Sequence, residues 1–101
     1  MTEGELKTLL ESTGMPVAYR EYKSTMVTPC LIYLFDNSDN LGADNRVYHK
    51  DNSWNIELYT KKKDPAAEAK VEAVLDAAEI YWEKTETYLQ SEGLFEVLYE
   101  I

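Results

Sequence analysis

The order of apolar and polar residues predicts a helix at the start of the chain and strands after it. In TEGELKTLLESTG, Thr2 and Glu5 have the three-residue spacing of a capping box, and three leucines follow at helical spacing. Gly14 and Pro16 predict the end of this helix. VAYREY, from residue 17, alternates loosely, and CLIYLF at 30–35 is an unbroken apolar run, typical of a central strand covered on both faces.

The middle of the chain predicts a long loop followed by further strand. DNSDNLGADN, residues 36–45, consists of turn-forming residues and predicts an exposed loop of about ten residues. RVYHKDNSWNIELYT, residues 46–60, predicts two strand segments or one long bent strand. Its side chains are expected to alternate, with Trp54, Ile56 and Leu58 on one face and Asn55, Glu57 and Tyr59 on the other.

A second, longer helix and a hairpin are predicted for the rest of the chain. Asp64 suits the N-cap position and Pro65 the first helical position. An apolar stripe follows at helical spacing and comprises Ala67, Val71, Val74, Leu75, Ala78 and Tyr81 or Trp82. KTETYLQSEGLFEVLYEI predicts a hairpin with its turn near SEG, in which Phe95, Val97, Tyr99 and Ile101 alternate with Glu96, Leu98 and Glu100.

These elements predict one α+β domain spanning residues 1–101. Strands in runs, without a helix after each, favour a mainly antiparallel sheet. We expect about four to six strand segments, backed by the N-terminal helix and one longer amphipathic helix. The length of 101 residues suits a single hydrophobic core.

Composition narrows the possible partners. The hydrophobic fraction of 45% and the eight tyrosines favour a packed domain with a partner surface. The formal net charge of -9 and the pI near 4.5 argue against nucleic acid or an anionic membrane as the main partner. Cys30 is the single cysteine, which suits a reducing cytoplasm, and no apolar stretch reaches the length of a membrane span. The N-terminus lacks the pattern of a secretion signal.

No motif in the sequence predicts catalysis, a cofactor or a metal site. His49 is the single histidine, and with Cys30 it falls short of a zinc site. The alternate oxygen ligands in DNSDN resemble the start of a calcium loop, but Leu41 stands where the glycine belongs and Val47 where the bidentate glutamate belongs. An enzyme would need a paired acid or base, and the sequence offers no candidate pair.

Two charged patches are the most unusual feature of the sequence. Lys61, Lys62 and Lys63 precede the N-terminus of the second helix, where cations oppose the helix dipole. An acidic series follows at three- and four-residue steps and comprises Glu68, Glu72, Asp76, Glu79 and Glu83. Both patches are either ordinary solvated faces or complementary halves of an interface. In the second interpretation, Lys61–Lys63 of one copy meet Glu68, Glu72, Asp76 and Glu79 of the next in a heterologous contact.

Several phrases in the chain resemble a known family. PVAY after a first helix, PCLIYLFDN, a loop with ADN followed by VY, NIELYTKKKD before an acidic helix, and the closing LFEVLYEI are similar to the small tail-completion proteins of long-tailed bacteriophages and prophages. These proteins are also described as tail terminator or head-tail joining proteins. The resemblance runs from about Met15 to Ile101, and its phrases are packing motifs and not catalytic signatures.

The resemblance implies a structural virion protein without enzymatic activity. It implies a ring, typically a hexamer, at the head-proximal end of the tail tube. The ring is expected to contact the tail tube protein and the head connector protein. During assembly the protein is expected in the host cytoplasm. The loop residues Asp39, Asn40, Leu41, Gly42 and Ala43 are then candidates for contacts within or between rings. Neither a cofactor nor specific nucleic-acid binding is implied.

A different class of function stays open. A soluble acidic protein encoded by a phage or prophage can act as an inhibitor that mimics DNA with its carboxylates. That class predicts a carboxylate face without a lysine edge, so Lys61–Lys63 argue against it.

Overall fold

Two helices pack on one face of a five-stranded sheet. The structure is a computed structural model that describes residues 1–21, 27–43 and 46–101, and it describes the backbone alone over 37–43 and 46–51. In chain order the elements are α1 (Glu3–Glu11), β1 (Val17–Tyr19), β2 (Cys30–Ala43), β3 (Arg46–Thr60), α2 (Pro65–Ala77), β4 (Glu83–Leu89) and β5 (Leu94–Glu100). The α+β prediction is confirmed.

The sheet is mixed but mostly antiparallel, with the strand order β1-β2-β3-β5-β4. The short β1 runs parallel to β2, and the other three pairings are antiparallel. β2 is an interior strand between β1 and β3, while β3 is the middle strand of the five. Cys30 through Tyr33 are buried, as the apolar run predicts. The C-terminal hairpin is confirmed, with Gly93 at a positive φ of 64° in its turn.

The core lies between the helices and the helix-facing side of the sheet. β3 alternates as predicted, since Trp54, Ile56 and Leu58 are buried while the residues between them are half-buried. The remaining buried members of this cluster are Leu6, Leu10, Met15, Leu31, Tyr33, Ala67, Val71, Leu75, Val97 and Tyr99. Apolar burial of this extent is the main favourable term that holds the two layers together.

Both helices begin as the sequence predicts. The hydroxyl oxygen of Thr2 accepts a hydrogen bond from the backbone N–H of Glu5 at 3.2 Å, and the Asp64 carboxylate accepts one from the N–H of Ala67 at 3.1 Å. Each contact satisfies one of the N–H groups that the first helical turn leaves unpaired.

The end of α2 differs from the prediction. The apolar stripe suggested a helix reaching Tyr81 or Trp82, but α2 ends at Ala77. The N–H of Ile80 donates to the carbonyl of Leu75 at 2.9 Å, and the N–H of Glu79 donates to that of Asp76 at 3.0 Å. These two bonds form a Schellman motif, in which Glu79 takes the left-handed conformation with φ 58°. Glu79 therefore leaves the acidic series of the helix, and Glu83 lies in β4.

The predicted loop at 36–45 is strand over most of its length. β2 continues to Ala43 and β3 starts at Arg46, so Asp39–Ala43 lie in β2, paired with residues 46–51 of β3. Residues 44 and 45 lie outside the described chain. Polar turn-forming residues adopt strand geometry here because antiparallel pairing satisfies their backbone groups, a long-range contact that local composition does not report.

Candidate subunit interface

A two-stranded arm projects beyond the five-stranded sheet. We define the arm as residues 37–43 of β2 with 46–53 of β3. β1 pairs only with Leu31–Tyr33, and β5 pairs with Asn55–Thr60, so neither strand reaches the arm in the described chain. At about 3.3 Å per residue, the seven residues 37–43 span about 20 Å, within a molecule of 50 × 28 × 23 Å.

The arm presents two strand edges that the described sheet does not cover. Unpaired edge N–H and C=O groups are the usual template for pairing with another chain. A two-stranded hairpin is at best marginally stable alone in water. These properties make the arm a candidate contact element. The arm contains the predicted contact residues Asp39–Ala43.

Lys63 forms ion pairs within its own chain. Its ammonium nitrogen lies 2.7 Å from Glu68 Oε2 and 2.6 Å from Glu86 Oε1. Lys84, from β4, lies 3.1 Å from Glu68 Oε1 and 2.7 Å from Glu72 Oε2. Glu68 and Glu72 therefore have lysine partners inside the subunit, between α2 and the sheet edge. Their predicted contact with the lysines of another copy stays a prediction.

Burial and ion pairing act in opposite directions on Glu68. The residue is 5% exposed, and burial alone would raise its pKa. Hydrogen bonds from Lys63 and Lys84 outweigh burial and hold the pKa of Glu68 below its usual value. Glu72, in turn, accepts a hydrogen bond at 2.8 Å from the hydroxyl of the buried Tyr99. Burial is the main cause that raises the pKa of Tyr99, and this hydrogen bond adds to it.

Lys61 and Lys62 are exposed and have no carboxylate partner in the described chain. With Lys63 they line an open cavity of about 260 Å³ where β3 meets α2. Thr28, Pro29, Thr60 and Asp64 complete its wall. Of the three predicted lysines, these two are the ones whose charge is available to another molecule.

The last two carboxylates of the predicted interface, Asp76 and Glu79, lie at the C-terminal end of α2. Asp76 accepts a hydrogen bond from the indole N–H of Trp82 at 2.8 Å. Glu79 is exposed just beyond the helix. The structure thus separates Asp76 and Glu79 from Lys61 and Lys62 by the length of α2.

The sheet face opposite the helices carries a cluster that sequence reasoning missed. The Tyr59 hydroxyl lies 2.9 Å from Glu57 Oε1 and 2.8 Å from Glu96 Oε2. Burial raises the pKa of Glu57, the hydrogen bond from Tyr59 opposes this rise, and the charge of Glu96 adds to it. Alternation placed Glu57 and Tyr59 on one face, but pairing between β3 and β5 brings in Glu96.

The sequence's candidates for metal or covalent chemistry are only partly described by the structure. In the part of the chain that the structure describes, no three His, Cys, Asp or Glu side chains are grouped to hold a metal ion. Cys30 is buried, and burial raises its pKa to about 11. The side chain of His49 lies outside the described residues. Neither described helix has the length and apolar character needed to cross a bilayer.

Comparison with known proteins gives no assignment. No protein-family model matches the chain, and no curated protein is significantly similar to it. The geometry and the sequence resemblance are therefore the basis for a functional proposal.

Proposed function

We propose that this protein is a structural subunit that caps the head-proximal end of a phage tail tube and helps join the tail to the head. The observation that carries the proposal is the arm, a strand pair that leaves the sheet with both edges uncovered in the described chain. The sequence resemblance to tail-completion proteins supplies the biological setting. A ring of copies, typically a hexamer, would place one arm from each subunit against a neighbour or against the tube.

The charge pattern supports an assembly role over inhibition by DNA mimicry. A mimic needs a carboxylate face without lysines, whereas on the surface shared by α2 and β4 the carboxylates Glu68, Glu72 and Glu86 are bound to lysines of the same chain. Lys61 and Lys62 add positive charge at one end of the sheet, with no carboxylate partner among the described residues. A mixture of this kind suits docking between protein surfaces.

The test is electron microscopy of tails assembled with and without this protein, with mass determination of the free protein alongside. We expect tails of uncontrolled length, or finished tails that fail to join heads, when the protein is absent. Tails of normal length that join heads without it would refute the proposal.

A variant with a shortened arm tests the role of the arm separately from that of the rest of the fold. Replacing residues 40–50 by Asn-Gly joins Asp39 to Asp51, a directly opposed pair, through a two-residue hairpin turn. We expect this variant to fold but not to complete tails. Exchanging Gln90 and Ser91 in the β4–β5 turn for alanine is the matched control, which should leave tail completion intact.

A further inference from the structure

The sheet carries opposite charges at its two ends. We define the lysine end as Lys61 and Lys62, which follow the last residue of β3. We define the carboxylate end as Glu79, Glu83 and Glu100, beside the point where the arm leaves the sheet. Glu100 pairs with Asn55, and Thr60 pairs with Phe95, so β3 separates the two ends by about 20 Å at 3.3 Å per residue.

The carboxylate end is not neutralised within the described chain. Glu83 and Glu100 lie directly opposite each other on β4 and β5, and like charges in that arrangement repel. Both are exposed, and neither forms an ion pair with a described residue. The polar contact of Glu83 is a hydrogen bond from the Tyr81 hydroxyl at 3.0 Å, and Tyr81 itself is 78% exposed.

Both ends oppose the dipole of α2. The helix N-terminus, which carries partial positive charge, lies beside Lys61 and Lys62, and its C-terminal turn, which carries partial negative charge, has no basic residue. Glu79 adds a carboxylate just beyond that turn, in a left-handed conformation that glycine would adopt more easily. Neither charge distribution helps the isolated subunit to fold.

We propose that the lysine end of one copy docks on the carboxylate end of the next copy. This inference rests on the proposed assembly role and names the surfaces through which the copies meet. Charge complementarity identifies the occupant, because the described part of the chain leaves cations without ion-pair partners at one end and carboxylates without them at the other. Contact between two different patches is heterologous, and repetition of it closes a ring where the rotation allows. Tyr81 provides exposed aromatic surface for the lysine side chains at the same contact.

The proposed contact differs from the interface that the sequence predicts. The lysine side keeps Lys61 and Lys62 and loses Lys63, which is bound to Glu68 and Glu86. The acceptor side moves from the middle of α2 to its C-terminal end and the adjoining strands. Local complementarity fixes the register of subunits whose net charge of -9 otherwise makes them repel.

Charge reversal of each end tests the contact. K61E/K62E makes both ends acidic, and E83K/E100K makes both ends basic. Each variant alone should lose self-association by about tenfold or more at low salt. An equimolar mixture should recover it, because acidic and basic subunits can then alternate. Sedimentation velocity over a concentration series measures the association.

A matched control removes the effect of net charge. K7E/K70E changes the net charge by the same amount as K61E/K62E, at exposed positions on α1 and α2 that belong to neither end. This control should associate like the wild type, apart from a small uniform weakening. Loss of association in the control equal to that of K61E/K62E would overturn the proposal, as would a mixture that fails to recover.

Zero-length cross-linking of the wild type gives an independent result. A carbodiimide joins an amine to a carboxylate in contact, and mixing isotope-labelled with unlabelled chains distinguishes links between chains. We expect links from Lys61 or Lys62 to Glu79, Glu83 or Glu100, and their absence at high protein concentration would overturn the contact. Failure of tail completion is scored separately by microscopy, so the contact and the proposed function can fail independently.

Discussion

The ammonium group of Lys63 lies 2.7 Å from the carboxylate of Glu68 in the same chain. Glu68 is buried under the lysines of two different segments, the β3–α2 connection and β4. This arrangement ties the N-terminal turn of α2 to the outer edge of the sheet. It stabilises the subunit and removes Lys63 from the charges available to a partner.

Replacement of Glu68 by glutamine should lower the free energy of unfolding by about 1 kcal/mol at pH 7. The depressed pKa of Glu68 means that its stabilisation is fully present above the usual pKa of 4.5 and disappears as the pH falls through the folded-state value. Wild type and E68Q should therefore converge in acid. Urea unfolding between pH 3 and pH 7 measures the difference. E92Q, in the exposed β4–β5 turn, is the control, and a gap that stays constant with pH would contradict this interpretation.

Replacement of Glu57 by glutamine should raise the free energy of unfolding near pH 7, whereas E68Q lowers it. The raised pKa of Glu57 means that the folded state binds a proton more tightly than the unfolded state, so stability falls as pH rises above the usual value of 4.5. E57Q keeps an acceptor for the Tyr59 hydroxyl and is neutral throughout. We expect it to be about 0.5 to 1 kcal/mol more stable than wild type near pH 7, with the gain vanishing in acid. E57Q less stable than wild type at pH 7 would show that the carboxylate is favourable there.

The arm should contribute little to the stability of the isolated domain. In the described sheet, residues 40–43 pair with 46–50 and with no further strand, so replacement of the 40–50 segment by Asn-Gly should change the free energy of unfolding by less than about 1 kcal/mol. Thermal and urea unfolding followed by circular dichroism measure the effect. A loss of several kcal/mol would show that the arm supports the core and would remove it as a dedicated contact element.

Glycine at position 79 should stabilise the subunit. Glu79 has φ 58°, a conformation that costs a residue with a Cβ about 1 kcal/mol and that glycine adopts freely. The gain expected for E79G is about 0.5 to 1 kcal/mol in unfolding experiments. E79A keeps the strain but removes the carboxylate, so it separates the backbone effect from charge. Equal stability of E79G and E79A would contradict the strain argument.

Local signals in the sequence were sufficient to predict the helices and strands that form the core. Capping residues predicted the starts of both helices, alternation predicted the buried face of β3, and an unbroken apolar run predicted the buried interior strand β2. These features depend on residues within a few positions of one another. The end of α2 was missed because a Schellman motif closed by a glutamate lacks the glycine that usually reveals it.

The sequence by itself determined that the chain is an α+β domain with an apolar core, an excess of acidic residues and a basic segment before its second helix. Only the tertiary structure decided which charges are neutralised within the subunit and that residues 37–43 extend an arm. Lys63, Lys84, Glu68 and Glu86 lie up to 23 residues apart in the chain, so their pairing depends on how α2 and β4 pack. Strand pairing across the arm is equally non-local, because its backbone hydrogen bonds depend on the facing strand and not on the composition of either segment.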